Sequence, residues 1–403
     1  MRHVVFVAPF PLETTMRFAR ATARLDGVKL TCVMQELPQG EDARYFDDAA
    51  RIEDGLDTGQ IVAGIEALRR KHGQPHRILG ILEPLQVQLA QVRAHFGVPG
   101  TPVATADAFR DKARMKDLLR ANGLPCARHR LLRQVSDAEE FISQVGFPIV
   151  LKPPAGMACK ATWRIRDVDE LRGALRAVHL SPDNPTLAEE FLRGREFSFE
   201  TLTVGGDQRF ESISRYYPGP LEVVENPWIQ WVCVLPREMG REFDDAREIG
   251  RRAIRALGLE TGFTHMEWFR RDDGSLAIGE IAARPPGANI VRMNSFAHDA
   301  DMYRAWARAV VDDAFDGPYQ RKYSVGCAFL RGAGRGRVVR VNGALRAAEV
   351  LGDIVVEAKL PTAGAPKSDS YEGDGYVIVR HPDTEVVKKA MNTVIETVQV
   401  QYA

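Results

Sequence analysis

Two apolar segments, Phe263–Arg270 and Ser275–Ile281, are joined by Asp272-Asp273-Gly274. Asp-Gly between two apolar runs signals a tight hairpin, because glycine supplies the positive φ that the turn needs. The two segments therefore lie side by side as antiparallel strands. Each carries one carboxylate, Glu267 and Glu280. Two carboxylates on neighbouring apolar strands repel each other unless a cation lies between them. An exposed cross-strand pair is the plainer alternative, and it fits poorly with the apolar flanks.

The rest of the chain is expected to be α/β and α+β in three parts. Residues 1–106 alternate strands (Arg2–Ala8, Lys29–Met34, Arg77–Leu82) with helices (Thr14–Leu25, Gln60–Lys71, Gln86–Phe96). That alternation implies a parallel sheet and a Rossmann-like N-terminal domain. No G-x-G-x-x-G follows the first strand, so a nicotinamide dehydrogenase has little support. Residues 107–318 change character. A smaller subdomain, 107–185, is read with helices Asp107–Ala121, Ser136–Val145 (Ser136 as N-cap) and Val168–Val178 around short strands. The second, 186–318, is strand-rich and contains the carboxylate hairpin and one amphipathic helix, Asp244–Leu257. Residues 319–403 read as a C-terminal β-rich domain closed by a helix, Thr384–Val398. The glycines of RGAGRGRV, Gly332, Gly334 and Gly336, mark a turn between strands, since no helical pattern follows.

Composition narrows the function classes. With 45% hydrophobic and 27% charged residues over 403 positions, the chain buries enough surface to fold. Its formal net charge of +0 argues against an extended nucleic-acid surface. No apolar run approaches the length of a membrane span, and Val4–Ala8 is too short for a secretory core. Five scattered cysteines without a C-x-x-C pair suggest reduced thiols in the cytoplasm rather than disulfides or structural zinc.

Single residues add chemistry. Lys152 ends an apolar strand and needs an anionic partner if buried, such as a phosphate; the plain alternative is a snorkelling surface lysine. The loop Ala155–Ala161 is rich in small residues, which lets backbone N–H groups approach phosphate oxygens. It is no Walker A loop, because G-K-[ST] and a following helix are missing. His265 lies two residues before Glu267 and so shares its face of the strand, either at substrate or as a core histidine. Arg284 follows Glu280 by four residues in a Pro-Pro-Gly loop. Arg215, Tyr216, Tyr217, Trp228 and Trp231 read as sheet core or as a pocket wall.

Four segments carry most of this: DKARMKDLL (111–119), FPIVLKPPAGMACKATWRI (147–165), LAEEFLRGREFSFE (187–200) and HMEWFRRDDGSLAIGEIAARPPGANI (265–290). In this order and at these separations they resemble the ATP-grasp family of ATP-dependent carboxylate–amine ligases. The resemblance covers residues 105–315 and implies the ATP-grasp fold. It implies that Lys112 and Lys152 contact the phosphates, and that Gly156, Ala158 and Lys160 cradle them. Glu189 and the Leu192 backbone would bind the adenine edge, and Glu196 the ribose. Glu267 and Glu280 would hold Mg²⁺, in two ions bridging the triphosphate, with Mn²⁺ as a substitute. The family's third ligand, an Asn two residues after the second Glu, is Ala282 here, and Asn289 is a substitute candidate. Arg284 would meet the γ-phosphate or the tetrahedral intermediate, with His265 beside it.

The implied activity is amide formation through an acyl phosphate, ADP-forming. The substrates are a small-molecule carboxylate and an amine, with L-amino acids as the leading pair. Family members are often homodimers. No nucleic acid or membrane partner is expected. Two alternatives stay open: a purine-pathway carboxylate ligase acting on a ribonucleotide, for which residues 8–15 offer no glycine-rich phosphate loop, and a non-catalytic ATP-binding regulatory protein.

Overall fold

The computed structural model describes residues 1–156 and 161–403. Near the N-terminus, β1 (Arg2–Ala8), β2 (Val28–Met34), β3 (Asp48–Arg51) and β4 (Arg77–Leu79) form a parallel sheet in the order β3-β2-β1-β4. Helix α1 (Glu13–Ala23) lies between β1 and β2, α2 (Thr58–His72) between β3 and β4, and α3 (Gln86–Phe96) follows β4. β1 is buried on both faces. Val4 and Phe6 pack with Phe18 of α1, while Val5 and Val7 pack with Ile61 and Ile65 of α2. The sequence pattern shows three strands here, and β3 is an additional one. Its sequence, Asp-Ala-Ala-Arg, has no apolar signature because it pairs only with β2 at the sheet edge.

Next come α4 (Val103–Arg110) and α5 (Lys112–Ala121). The single helix expected over Asp107–Ala121 is broken at Asp111, which takes φ −85° and ψ 108°. Its carboxylate accepts the N–H groups of Ala113 at 2.9 Å and Arg114 at 3.0 Å, so a new helix starts there.

A second sheet is built from β5 (His129–Leu132), β6 (Ile149–Lys152), β7 (Trp163–Ile165) and β8 (Thr186–Glu190), in the antiparallel order β5-β8-β6-β7. Helices α6 (Val135–Val145) and α7 (Val168–Ala177) cover it. α6 starts from Gln134 rather than Ser136. The Asp137 carboxylate accepts the Gln134 N–H and closes a capping box two residues earlier.

The largest sheet has eight strands in the order β13-β12-β9-β10-β11-β14-β17-β16. The chain supplies it as β9 (Arg195–Val204), β10 (Asp207–Tyr217), α8 (Pro220–Glu225), β11 (Trp231–Leu235), α9 (Asp244–Leu257), β12 (Gly262–Arg270), β13 (Leu276–Ala282), α10 (Ile290–His298), α11 (Met302–Asp312) and β14 (Ser324–Leu330). Then follow β15 (Val338–Asn342), α12 (Ala344–Leu351), β16 (Val355–Lys359), β17 (Gly375–His381), α13 (Thr384–Thr397) and β18 (Gln399–Tyr402). Strands β14, β16 and β17 therefore continue the sheet that carries the carboxylate hairpin, and only β15 and β18 pair apart from it.

α11 joins the first sheet to the largest. Its Tyr303 and Trp306 pack edge-on against Phe18, with ring centroids 4.8 and 5.0 Å away. Among the described residues no helix is long and apolar enough to cross a membrane.

Candidate active site

Glu267 on β12 and Glu280 on β13 are register partners, so their side chains leave the same face of the sheet. A bulge follows Glu267. The opposite face carries Met266, Trp268 and Ile281 into an apolar core under α9. The hairpin therefore separates an apolar side from a charged one.

Lysines from the smaller subdomain meet that charged side. Lys112, the first residue of α5, is buried with Nζ 2.9 Å from Glu280 Oε1. It also donates to the Gly156 carbonyl at 2.9 Å. Lys152, the last residue of β6, places Nζ 3.0 Å from Glu189 Oε2 and 3.6 Å from Glu280 Oε2. Lys116, one turn beyond Lys112, has 0% exposure; it donates to the Gly279 carbonyl and lies 3.3 Å from Glu189 Oε1. Sequence reading missed Lys116. Its signal is the four-residue spacing from Lys112, which puts both lysines on one side of α5.

The electrostatics follow from these partners. Burial alone would raise the Glu280 pKa, yet Lys112 and Lys152 hold it down to about 2. Burial opposes the charge on Lys152, but Glu189 and Glu280 lift its pKa above the usual lysine range. Burial lowers that of Lys116. Glu189, also opposed by burial, is kept below the usual carboxylate range by Lys116 and Lys152. Where the resemblance gives Glu189 the adenine edge, its carboxylate is instead the counter-ion of two lysines.

His265 lies beside Glu267 as its position on β12 requires. Its Nδ1 is 3.1 Å from Glu200 Oε1 and its Nε2 is 3.6 Å from Glu267 Oε1. Burial disfavours the imidazolium, but Glu200 and Glu267 outweigh it and bring the pKa to about 9. Arg284 is held by a residue the sequence reading missed. Its Nε donates to Glu83 Oε2 at 2.9 Å and its Nη1 to the Pro285 carbonyl at 3.0 Å. Glu83 follows β4 of the first sheet and also meets Arg110 at 3.4 Å. Nothing near it in the sequence marks it, because its partners come from distant segments.

The remaining candidates spread along the same cavity, of about 770 Å³. Leu192 and Glu196 lie on its wall at the bend between β8 and β9. That bend needs glycine: Gly194 has φ +140°, and a Cβ there would come 2.2 Å from the Arg270 carbonyl. Burial, and next Glu267, raise the Glu196 pKa well above the carboxylate range. Gly156 offers its carbonyl to Lys112 and Arg110, and its N–H goes to the Pro153 carbonyl at 3.3 Å. The expected N–H cradle is therefore not seen at Gly156, and Ala158 and Lys160 lie outside the described residues. Asn289 opens α10 with φ 57° and lines the cavity. Tyr216 and Trp231 serve both as core and as cavity wall, whereas Trp228 is 46% exposed. Glu190 joins Arg128 at 2.9 Å and Arg271 at 3.0 Å.

Among the described residues, no three His, Cys, Asp or Glu side chains converge to hold a metal by themselves. Two carboxylates facing a cavity fit a different kind of site. Mg²⁺ is commonly bound through one or two carboxylates and completed by substrate phosphates.

A family model described as the ATP-grasp domain matches residues 117–296. The chain carries an ATP-grasp domain. The matched stretch runs from α5 into α10 and includes Lys152, Glu189, Glu267, Glu280 and Arg284; Lys112 and Lys116 precede it. An L-arginine-specific L-amino acid ligase from Bacillus subtilis is 29% identical over 207 residues, 50% of this chain and 49% of the relative. The chain thus spans about half the length of that relative. The crystal structure of an L-amino acid ligase from Bacillus licheniformis superposes with a TM-score of 0.83 at 18% identity, covering 100% of this chain and 99% of the other. N5-carboxyaminoimidazole ribonucleotide synthetase from Thermotoga maritima gives a TM-score of 0.72 at 18% identity, with 100% of both chains covered. At these identities the structural likeness is one of fold, and the fold is the ATP-grasp fold.

Proposed function

We propose that this chain is an ADP-forming, ATP-dependent carboxylate–amine ligase that joins amino acids or a related small acid and amine. The observation that carries this reading is the Glu267–Glu280 register pair, with Lys112 and Lys152 against Glu280, all on the wall of one cavity of about 770 Å³. That cavity suits a nucleotide with a second small molecule. The Bacillus subtilis relative, an L-arginine-specific L-amino acid ligase, supports the choice of amino acids.

In this reading a carboxylate oxygen of one substrate attacks the γ-phosphorus of ATP and ADP leaves. The amine of the other substrate then attacks the acyl phosphate, phosphate leaves, and the nitrogen loses a proton. Mg²⁺ held by Glu267 and Glu280 would draw charge from the triphosphate. Lys112 and Lys152 place positive charge beside the same phosphates. Glu189 holds Lys152 and Lys116 in place. Arg284, oriented by Glu83, offers a guanidinium to the charge that develops during transfer. Glu196 faces the nucleotide sugar from the β8–β9 bend. Apolar walls such as Trp231 and Pro285 limit hydrolysis of the acyl phosphate by excluding water.

The test is ADP release screened over pairs of amino acids, followed by ¹⁸O tracing from the labelled carboxylate. Amine-dependent ADP release with ¹⁸O appearing in phosphate is the expected result. ADP release without transfer of label, or none with any pair, removes the proposal.

A further inference from the structure

Glu372 lies just before β17, on the wall of the same cavity and outside the matched ATP-grasp stretch. Its Oε1 accepts the Ala288 N–H at 3.1 Å, which ties it to the loop that follows Arg284. Four other acidic residues of the cavity have basic partners: Glu83 has Arg284, Glu189 has Lys152, Glu190 has Arg271, and Glu280 has Lys112, while Glu196 faces Glu267 on the hairpin wall. Among the described residues Glu372 has no basic side chain within 4.0 Å, and the nearby Arg284 is engaged by Glu83 and the Pro285 carbonyl. Burial pushes the Glu372 pKa up, as expected for a carboxylate lacking a counter-ion. Its surroundings are apolar and aromatic. Trp231 donates to the Tyr371 carbonyl at 2.7 Å, and the Trp231 and Tyr371 rings are 5.4 Å apart. Pro285 and Pro286 complete this end of the cavity.

A carboxylate without a basic partner, lining the same cavity wall as the Tyr371 and Trp231 rings, suits a cation on an apolar body. The carboxylate would provide a charge-assisted hydrogen bond and the rings a favourable face. We infer that Glu372 and the Tyr371–Trp231 wall form the subsite that receives the ammonium group of an apolar or aromatic amine substrate. This inference rests on the ligase reading for the fate of that amine, but the binding itself can be measured without turnover.

The test is calorimetric titration of the full chain with phenethylamine and L-phenylalaninamide, and with 3-phenylpropanamide as a neutral counterpart. Wild type is expected to bind the two ammonium compounds at least about 10-fold more tightly than the neutral amide. Glu372→Gln should lose about 10- to 100-fold for the ammonium compounds and keep its affinity for a magnesium–ATP analogue, while Glu372→Asp regains part of the loss. Equal binding of charged and neutral compounds by wild type overturns the inference, and so does wild-type affinity in Glu372→Gln. Loss of the ATP analogue in both variants would assign Glu372 to the fold and also overturn it. Cation binding that depends on Glu372 in a chain releasing no ADP would leave this subsite standing and remove the ligase proposal. ADP release unaffected by Glu372→Gln, with unchanged amine affinity, would do the reverse.

Discussion

Lys152 and Glu280 bridge two sheets: Nζ at the end of β6 lies 3.6 Å from Glu280 Oε2 on β13, while the same ammonium holds Glu189 at 3.0 Å in its own sheet. The smaller subdomain and the carboxylate hairpin are thus joined at the point where the triphosphate is proposed to lie. Lys152→Met should leave two carboxylates short of a cation. Breaking a buried pair costs about 3–5 kcal/mol. The expected outcome is a lower Tm and at least 10-fold weaker binding of an ATP analogue, measured by thermal unfolding and calorimetry.

Asp111 sets the position of Lys112, because its cap starts α5 one residue before it. Asp111→Ala should cost about 1 kcal/mol of stability. It should also weaken ATP-analogue binding more than an equally destabilising change on the outer face of α7. Equal nucleotide affinity in the two variants would separate the cap from the site.

Arg284 and Glu83 act together across the first and largest sheets. Arg284→Lys retains charge but loses the fork that meets Glu83 and the Pro285 carbonyl. A fall in kcat of about 10²-fold with little change in KM for ATP is expected, as for removal of a transition-state donor. Glu83→Gln should give a smaller effect of the same kind. Steady-state kinetics of both variants provide the check.

Two titrations have opposite signs. The Glu280 pKa is depressed to about 2 from 4.5, so its lysine partners stabilise the fold fully above pH 4.5 and lose that effect as pH falls toward 2. The stability difference between wild type and Glu280→Gln should therefore shrink over that window. The His265 pKa is raised to about 9 from 6.5. Its contribution is complete below pH 6.5 and is lost as pH rises through 9, so the difference between wild type and His265→Gln should shrink there. Denaturant unfolding across pH measures both.

The hairpin was legible because every part of it is local. An Asp-Gly turn between apolar runs announces the hairpin, whereas its register was not legible: Trp268 pairs with Ile278, and only the bulge after Glu267 sets Glu267 opposite Glu280 rather than Gly279. Arg284 and His265 followed from their short distances to that pair. Lys116 was hidden because a lysine within a helix ordinarily reads as solvated, and only its burial against the Gly279 carbonyl shows otherwise. Glu83 was hidden because Arg284, its partner, lies 201 residues away. The helix break at Asp111 was read through because Asp is tolerated inside helices, while here its side chain caps the next one. The place of β14 was equally non-local: it pairs with β11 nearly ninety residues earlier, and no pattern within either strand selects that neighbour.

The central claim is that Glu267 and Glu280 together bind the metal-linked triphosphate. Calorimetric titration of a non-hydrolysable ATP analogue, with and without Mg²⁺, into wild type and into the Glu267→Gln/Glu280→Gln double variant tests it most directly. Magnesium should tighten binding to wild type by at least about 10-fold and leave the double variant unaffected. A magnesium effect of equal size in both proteins would contradict the claim.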